Sequence, residues 1–97
     1  MNKKQYYLIK LAEEAAELSQ IAIKCAQFGE YEVHPHTLER NIDGLQKEYN
    51  DVVACVLMVE ELLQDFTTDV YDDTLEAKFE KMEKYRAISK ANGMSYE

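Results

Sequence analysis

The sequence predicts an all-α protein, a helical bundle, and three observations carry that prediction. Apolar residues recur at 3-4 spacing through two long stretches, which is the helical period. The chain's only proline, Pro35, falls between those stretches and inside neither. Glycine stands where the periodic stretches stop, at Gly29 and in Asn92-Gly93. With 97 residues the chain makes one domain, 1–97. A domain of this size buries only roughly 60–65% of its unfolded surface. An all-helical chain with so modest a core is expected to complete it by pairing with a second copy.

The first helix is predicted from about Lys3 to Phe28. Leu8, Leu11, Ala15, Leu18, Ala22 and Cys25 lie at 3-4 spacing and make a narrow stripe. Gly29 stops it, and GEYEVHPHTLERNID at 29 to 43 reads as an irregular connection with a short helical turn around Thr37 to Arg40. The second helix is predicted from about Gly44 to Leu63, with Asp43 and Gln46 as a capping box. Leu45, Tyr49, Val52, Val56, Val59 and Leu63 form its stripe, widened by Val53 and Leu57. The valines favour a strand mildly, but twenty residues at helical period decide for helix. FTTDVYDD at 66 to 73 reads as a turn, and Asp73 with Glu76 as the capping box of a last helix reaching about Lys90. Its apolar residues Leu75, Phe79, Met82 and Ile88 are expected inward or at a partner. Residues 94 to 97 are expected to fray.

Charge narrows the function. Nineteen Asp and Glu stand against eleven Lys and Arg, a net charge of -8. No basic stripe exists to neutralise a nucleic-acid backbone, so nucleic acid is not an expected partner. A nucleotide remains open, because a bound divalent cation inverts the local charge. Cys25 and Cys55 lie in apolar helical stretches with no CxxC and no His/Cys cluster, which speaks against zinc and dithiol chemistry. Two free thiols suit a reducing cytoplasm. MNKKQYYLIK carries no long apolar run or cleavage-like site, so no signal peptide is read there. The longest apolar run, VVACVLMV at 52 to 59, is far short of the roughly 20 residues that span a bilayer, so no membrane association is expected.

The chemistry-bearing residues are carboxylates. Glu14 and Glu17, and again Glu48 and Asp51, are three apart and share one face of their helices. Asp69/Asp72, Asp73/Glu76 and Glu80/Glu83 have the same spacing, so spacing alone does not single them out. Position does. Each of the first two pairs lies on the shoulder of an apolar stripe, beside Ala15 and Leu18 or beside Tyr49 and Val52. If the stripes pack together, the four carboxylates converge at the core edge. Converging carboxylates repel one another unless a hard cation sits among them. Oxygen donors without His or Cys suit Mg²⁺, with Mn²⁺ as the alternative, better than Zn²⁺. Against this stands the plain reading of solvated charges flanking a hydrophobic seam.

EEAAE at 13 to 17, followed after a helix break by KEYND at 47 to 51, resembles the EExxE…ExxD pattern of the MazG-like all-α nucleoside triphosphate pyrophosphohydrolases. Lys24 with Phe28-Gly29, Asn41 ahead of the second motif, and KFEKMEKYRAISK at 78 to 90 look similar too, so the likeness covers roughly residues 8 to 90. The resemblance implies an α-helical bundle completed by oligomerisation, most often a homodimer, with a tetramer as the alternative. It implies Mg²⁺-dependent cleavage of a nucleoside triphosphate to monophosphate and pyrophosphate. It would make Glu14, Glu17, Glu48 and Asp51 metal ligands, Glu13 a support behind them or an orienter of water, and Lys24 a phosphate contact. Thirty residues, 18 to 47, separate Glu17 from Glu48, longer than is usual in that group, so the 29 to 43 segment is a candidate specificity loop. Arg40 is a candidate at its mouth. Lys78, Lys81, Lys84 and Arg86 are read as helix-surface pairs with Glu76 and Glu80, His34 and His36 as loop surface, and Tyr6, Tyr7 and Tyr31 as base-stacking or dimer-seam residues. The rival readings are a phosphoribosyl-ATP pyrophosphohydrolase and a non-catalytic helical interaction protein.

Overall fold

The computed structural model describes residues 1–93. Three helices follow one another: α1 (Lys3–Phe28), α2 (Asn41–Leu62) and α3 (Asp72–Ala91). The all-helical expectation holds. The expectation for residues 94–97 lies outside the described residues.

The start of α1 is fixed by a reciprocal cap. The Gln5 amide N–H donates to Asn2 Oδ1 at 2.8 Å, and the Asn2 N–H donates to Gln5 Oε1 at 3.0 Å. Its end is Gly29, whose N–H donates to the Cys25 carbonyl at 2.9 Å. Gly29 sits at φ 97°, where a side chain is strained although open space surrounds the position.

The connection then folds back on itself. Val33 bridges Arg40 in antiparallel fashion, where the sequence predicts a helical turn. The His34 N–H donates to the Glu39 carbonyl at 2.8 Å, and the Asn41 N–H to the Glu32 carbonyl at 2.9 Å. His34 Nδ1 accepts from the backbone N–H groups of His36 and Thr37 at 3.1 and 3.3 Å. This network holds Leu38 at φ 60°, a left-handed conformation that costs a non-glycine residue about 1–2 kcal/mol.

Folding back also moves the start of α2. The sequence places it at Gly44 behind an Asp43 cap; the helix begins a turn earlier, at Asn41, with Arg40 as the capping residue. Asp43 is inside the first turn. Its carboxylate accepts from the Arg40 N–H at 3.3 Å and from the guanidinium Nε and Nη2 at 2.9 Å each. That guanidinium holds the Asp43 carboxyl below the usual carboxylate range. Asn41 is buried, and its side-chain amide donates to the Gly29 carbonyl at 2.9 Å, tying the two ends of the loop together.

α1 and α2 run antiparallel and pack along a shared seam. On α1 the half-buried positions include Tyr7, Leu11, Glu14, Leu18, Ile21 and Cys25. On α2 they include Leu45, Glu48, Val52 and Cys55, with Asn41 and Val59 buried. Both sets step by four and three residues, the pattern of interlocking antiparallel helices. The predicted stripes share Leu11, Leu18 and Cys25 with the first and Leu45, Val52 and Val59 with the second. Leu8, Ala15, Ala22 and Tyr49, predicted inward, are exposed. Val59, at 2% exposure, is the only buried hydrophobic residue among those described. Val59→Ala is therefore expected to cost about 2 kcal/mol, read as a lower urea midpoint.

The link to α3 is anchored at Glu60, whose carboxylate accepts from the Thr68 N–H and, at 2.8 Å, from its hydroxyl. The Thr68 bonds hold the Glu60 carboxyl below its ordinary range. α3 starts at Asp72 behind Tyr71 with no side-chain cap, so the predicted Asp73–Glu76 box does not form. Asp72 and Asp73 in its first turn still favour the positive helix end. Among the described residues α3 packs against neither α1 nor α2. Leu75, Phe79, Met82 and Ile88, predicted inward or at a partner, are exposed in the single chain. No described helix is long and apolar enough to cross a membrane.

Candidate metal centre

The packing register decides where the carboxylates sit. Glu14 and Glu48 occupy seam positions, not the shoulders that the sequence suggests, so each helix carries one carboxylate into the interface between them. Glu17, one turn on from Glu14, is exposed and reaches the same point. Carboxylate oxygens of Glu14, Glu17 and Glu48 lie within 4.8 Å of one another. Glu14 Oε2 and Glu48 Oε2 are buried, and no protein donor faces either. A buried acceptor left without a donor costs the full desolvation penalty of that group.

The electrostatics follow from this crowding. Burial pushes the Glu14 and Glu48 carboxyls above the ordinary range, and the close Glu17 carboxylate and then Asp51 push both further. The Cys55 thiol, beside them in the seam, is also raised, first by burial and then by the Glu14 charge. It is a free cysteine.

Beside the cluster a cleft of about 540 Å³ runs along the hairpin toward the loop. Glu17 and Glu48 bound one end of it; Lys24, Lys47 and Glu39 line the rest, over a floor that includes Ile21 and Gly44. A smaller cavity of about 150 Å³ shares Ile21, Lys24, Glu39 and Gly44 and extends to Arg40 and His34.

No protein-family model, curated protein or solved structure matches this chain.

The predicted site residues separate into groups. Glu14, Glu17 and Glu48 come together. Asp51 is half-buried and outside that trio, yet near enough for its charge to act on Glu14 and Glu48. Glu13 is exposed and pairs with Lys10 at 3.4 Å. Lys24 lines the cleft. Arg40 lines the smaller cavity, is held by Asp43, and lies 6.0 Å from the centre of the Tyr31 ring. Lys47 and Glu39 were not singled out by the sequence. Lys47 sits inside the KEYND motif, a usable signal; Glu39 has none, because the fold-back of the loop brings it to the cleft.

The donor set fits a hard divalent cation. All three groups are carboxylates, and two carry buried oxygens that lack any positive partner.

Proposed function

We propose that this chain is a Mg²⁺-dependent nucleotide pyrophosphohydrolase, which cleaves a nucleoside triphosphate or related nucleotide to the monophosphate and pyrophosphate. The observation that carries the reading is the pair of buried, donor-less oxygens of Glu14 and Glu48 meeting Glu17 across the seam. Few arrangements explain two carboxylates turned inward in so small a core unless something cationic joins them. The likeness of EEAAE and KEYND to the MazG-like motifs supplies the reaction class.

In this reading Glu14, Glu17 and Glu48 hold Mg²⁺ or Mn²⁺, with Asp51 as a fourth carboxylate beside them. The cation supplies charge neutralisation on the phosphates and activation of water. The chain's own residues do the rest. Lys24 and Lys47 line the adjacent cleft and bind the part of the triphosphate charge that lies beyond the carboxylates. The half-buried seam limits water around Glu14 and Glu48, which strengthens every charge interaction made there. Glu13, turned to Lys10, takes no direct part. The enzyme works as a cytoplasmic homodimer in which the exposed apolar residues of α3 meet a second copy.

The test is product analysis over a panel of canonical and modified nucleoside triphosphates and phosphoribosyl-ATP, with Mg²⁺ and with chelator. Monophosphate and pyrophosphate formed only with Mg²⁺ support the proposal. The exposed stripe of Leu75, Phe79 and Met82 favours one second reading, a non-catalytic helical interaction protein. That reading expects no turnover and a site indifferent to Mg²⁺.

A further inference from the structure

The loop end of the cleft has a chemistry of its own. Glu39 lines both cavities, and its carboxylate makes no hydrogen bond and no ion pair of its own among the described residues. Its backbone, by contrast, is fixed. The Glu39 N–H donates to Thr37 Oγ1 at 3.3 Å, and its carbonyl accepts from the His34 N–H at 2.8 Å. The side chain leans over Gly44: Glu39 Oε1 is 3.9 Å from where a Cβ on Gly44 would stand. That same point is 3.2 Å from Ile21 Cδ1, closer than a Cβ ordinarily comes, so the missing side chain at Gly44 lets Ile21 pack directly against the α2 backbone at the cleft wall. The Glu39 carboxylate therefore stands as an acceptor beside Ile21 and Gly44, and Lys24 and Lys47 lie in the same cleft as Glu17 and Glu48.

A nucleotide whose phosphates sit by Glu17 and Glu48 extends along this cleft toward the loop. Resting on the proposed hydrolase reading, we infer that Glu39 determines substrate specificity by accepting hydrogen bonds from donor groups on the nucleoside. An ionised carboxylate only accepts, so it favours a nucleoside that offers N–H or O–H groups at that point and rejects one that offers a carbonyl there. The donor is either an exocyclic amino group of the base or a ribose hydroxyl, and Ile21 is the apolar residue of the cleft lining nearest to it. A site built around a buried hydrogen bond discriminates strongly between ligands that make it and ligands that do not. Glu39 is exposed in the free chain, so the expected discrimination is smaller, about tenfold to a hundredfold.

The experiment compares the full chain with Glu39→Gln on kcat/KM for ATP, CTP, GTP, UTP and their deoxy counterparts, with Mg²⁺. Thermal stabilisation by Mg²⁺ alone is measured in parallel. The inference predicts that the spread among substrates collapses by about tenfold or more in Glu39→Gln, while Mg²⁺ stabilisation is unchanged. Collapse between amino-bearing bases and uracil assigns the donor to the base; collapse between ribo and deoxy forms assigns it to the sugar. A Glu39→Gln variant with the same ranking as the parent overturns the inference and leaves the hydrolase reading standing. A parent that hydrolyses none of them, and none of the modified triphosphates or phosphoribosyl-ATP, with or without Mg²⁺, overturns both. The Gln variant keeps the backbone bonds that form the turn, and the ratio between substrates does not move if a variant merely loses active fraction.

Discussion

Glu48→Gln is expected to lower Mg²⁺-dependent nucleotide hydrolysis by at least a hundredfold and to remove the stabilisation that Mg²⁺ gives the parent. Metal-borne charge stabilisation is worth several kcal/mol, and losing one of three converging ligands forfeits most of it. Glu48 is the only α2 member of the trio. Without it the remaining pair, Glu14 and Glu17, lies on one helix, and α2 is left with Asp51 alone, which stands outside the trio. Product analysis and a thermal melt with and without Mg²⁺ check the two effects on one sample. Glu13→Gln is the matched control. Glu13 pairs with Lys10 outside the cluster, so it should change neither readout by more than about twofold, as surface ion pairs contribute little. A Glu48→Gln protein that melts as the parent does with Mg²⁺ and keeps its turnover would end the metal-centre reading.

The second large effect is on stability, and its sign is opposite to that of most carboxylates. The Glu14 and Glu48 carboxyls are raised in the folded chain, so the folded state binds protons more tightly than the unfolded state. Their contribution is most favourable when both are protonated. It is lost as pH rises from the ordinary carboxylate value of about 4.5 through the raised values in the folded chain. The metal-free protein should thus lose melting temperature over that interval, and Glu14→Gln should recover part of the loss. Mg²⁺ should restore the parent at neutral pH and do little at pH 4, where protons compete for the same oxygens. The Asp43 and Glu60 carboxyls, held low by Arg40 and by Thr68, act the other way and weaken the fold only in more acidic solution. A melting temperature that climbs steadily from pH 4.5 to neutrality in chelator would contradict the convergence of charge in the seam.

How much of this was legible in the sequence depends on which residue is asked. Helix class, the extent of α1 and the stops at Gly29 and Asn92 followed from period and from glycine, both of which are local. The register did not. Two 3-4 stripes pass through α1, one through Leu8, Ala15 and Ala22 and one through Tyr7, Glu14 and Ile21, and they share Leu11, Leu18 and Cys25. Burying a carboxylate is normally unfavourable, so a reading by hydrophobicity prefers the first stripe and leaves Glu14 on the shoulder. The packed hairpin takes the second, and the same shift places Glu48 inward in place of Tyr49. The preference that misplaced the seam is the one that makes the observed seam informative. The start of α2 was missed for a different reason. Asp43 and Gln46 look like a cap and its partner, but the bridge between Val33 and Arg40 delivers the chain to the helix one turn sooner, and that pairing is not local. Glu39 owes its place over the cleft to the same bridge.

The separation of α3 divides the protein into two kinetic classes. A helix of twenty residues without a packed face is marginal in water, so its amides are shielded only by its own turns. Amides in the middle of α2, around Val52 to Val59, are released only when the whole hairpin opens. Hydrogen exchange from the free chain should accordingly be biphasic, with α3 labelled orders of magnitude sooner than the α2 centre. Any surface that covers Phe79 and Met82 would slow the first class toward the second, so the exchange rate of α3 reports occupancy of that helix whatever the occupant is.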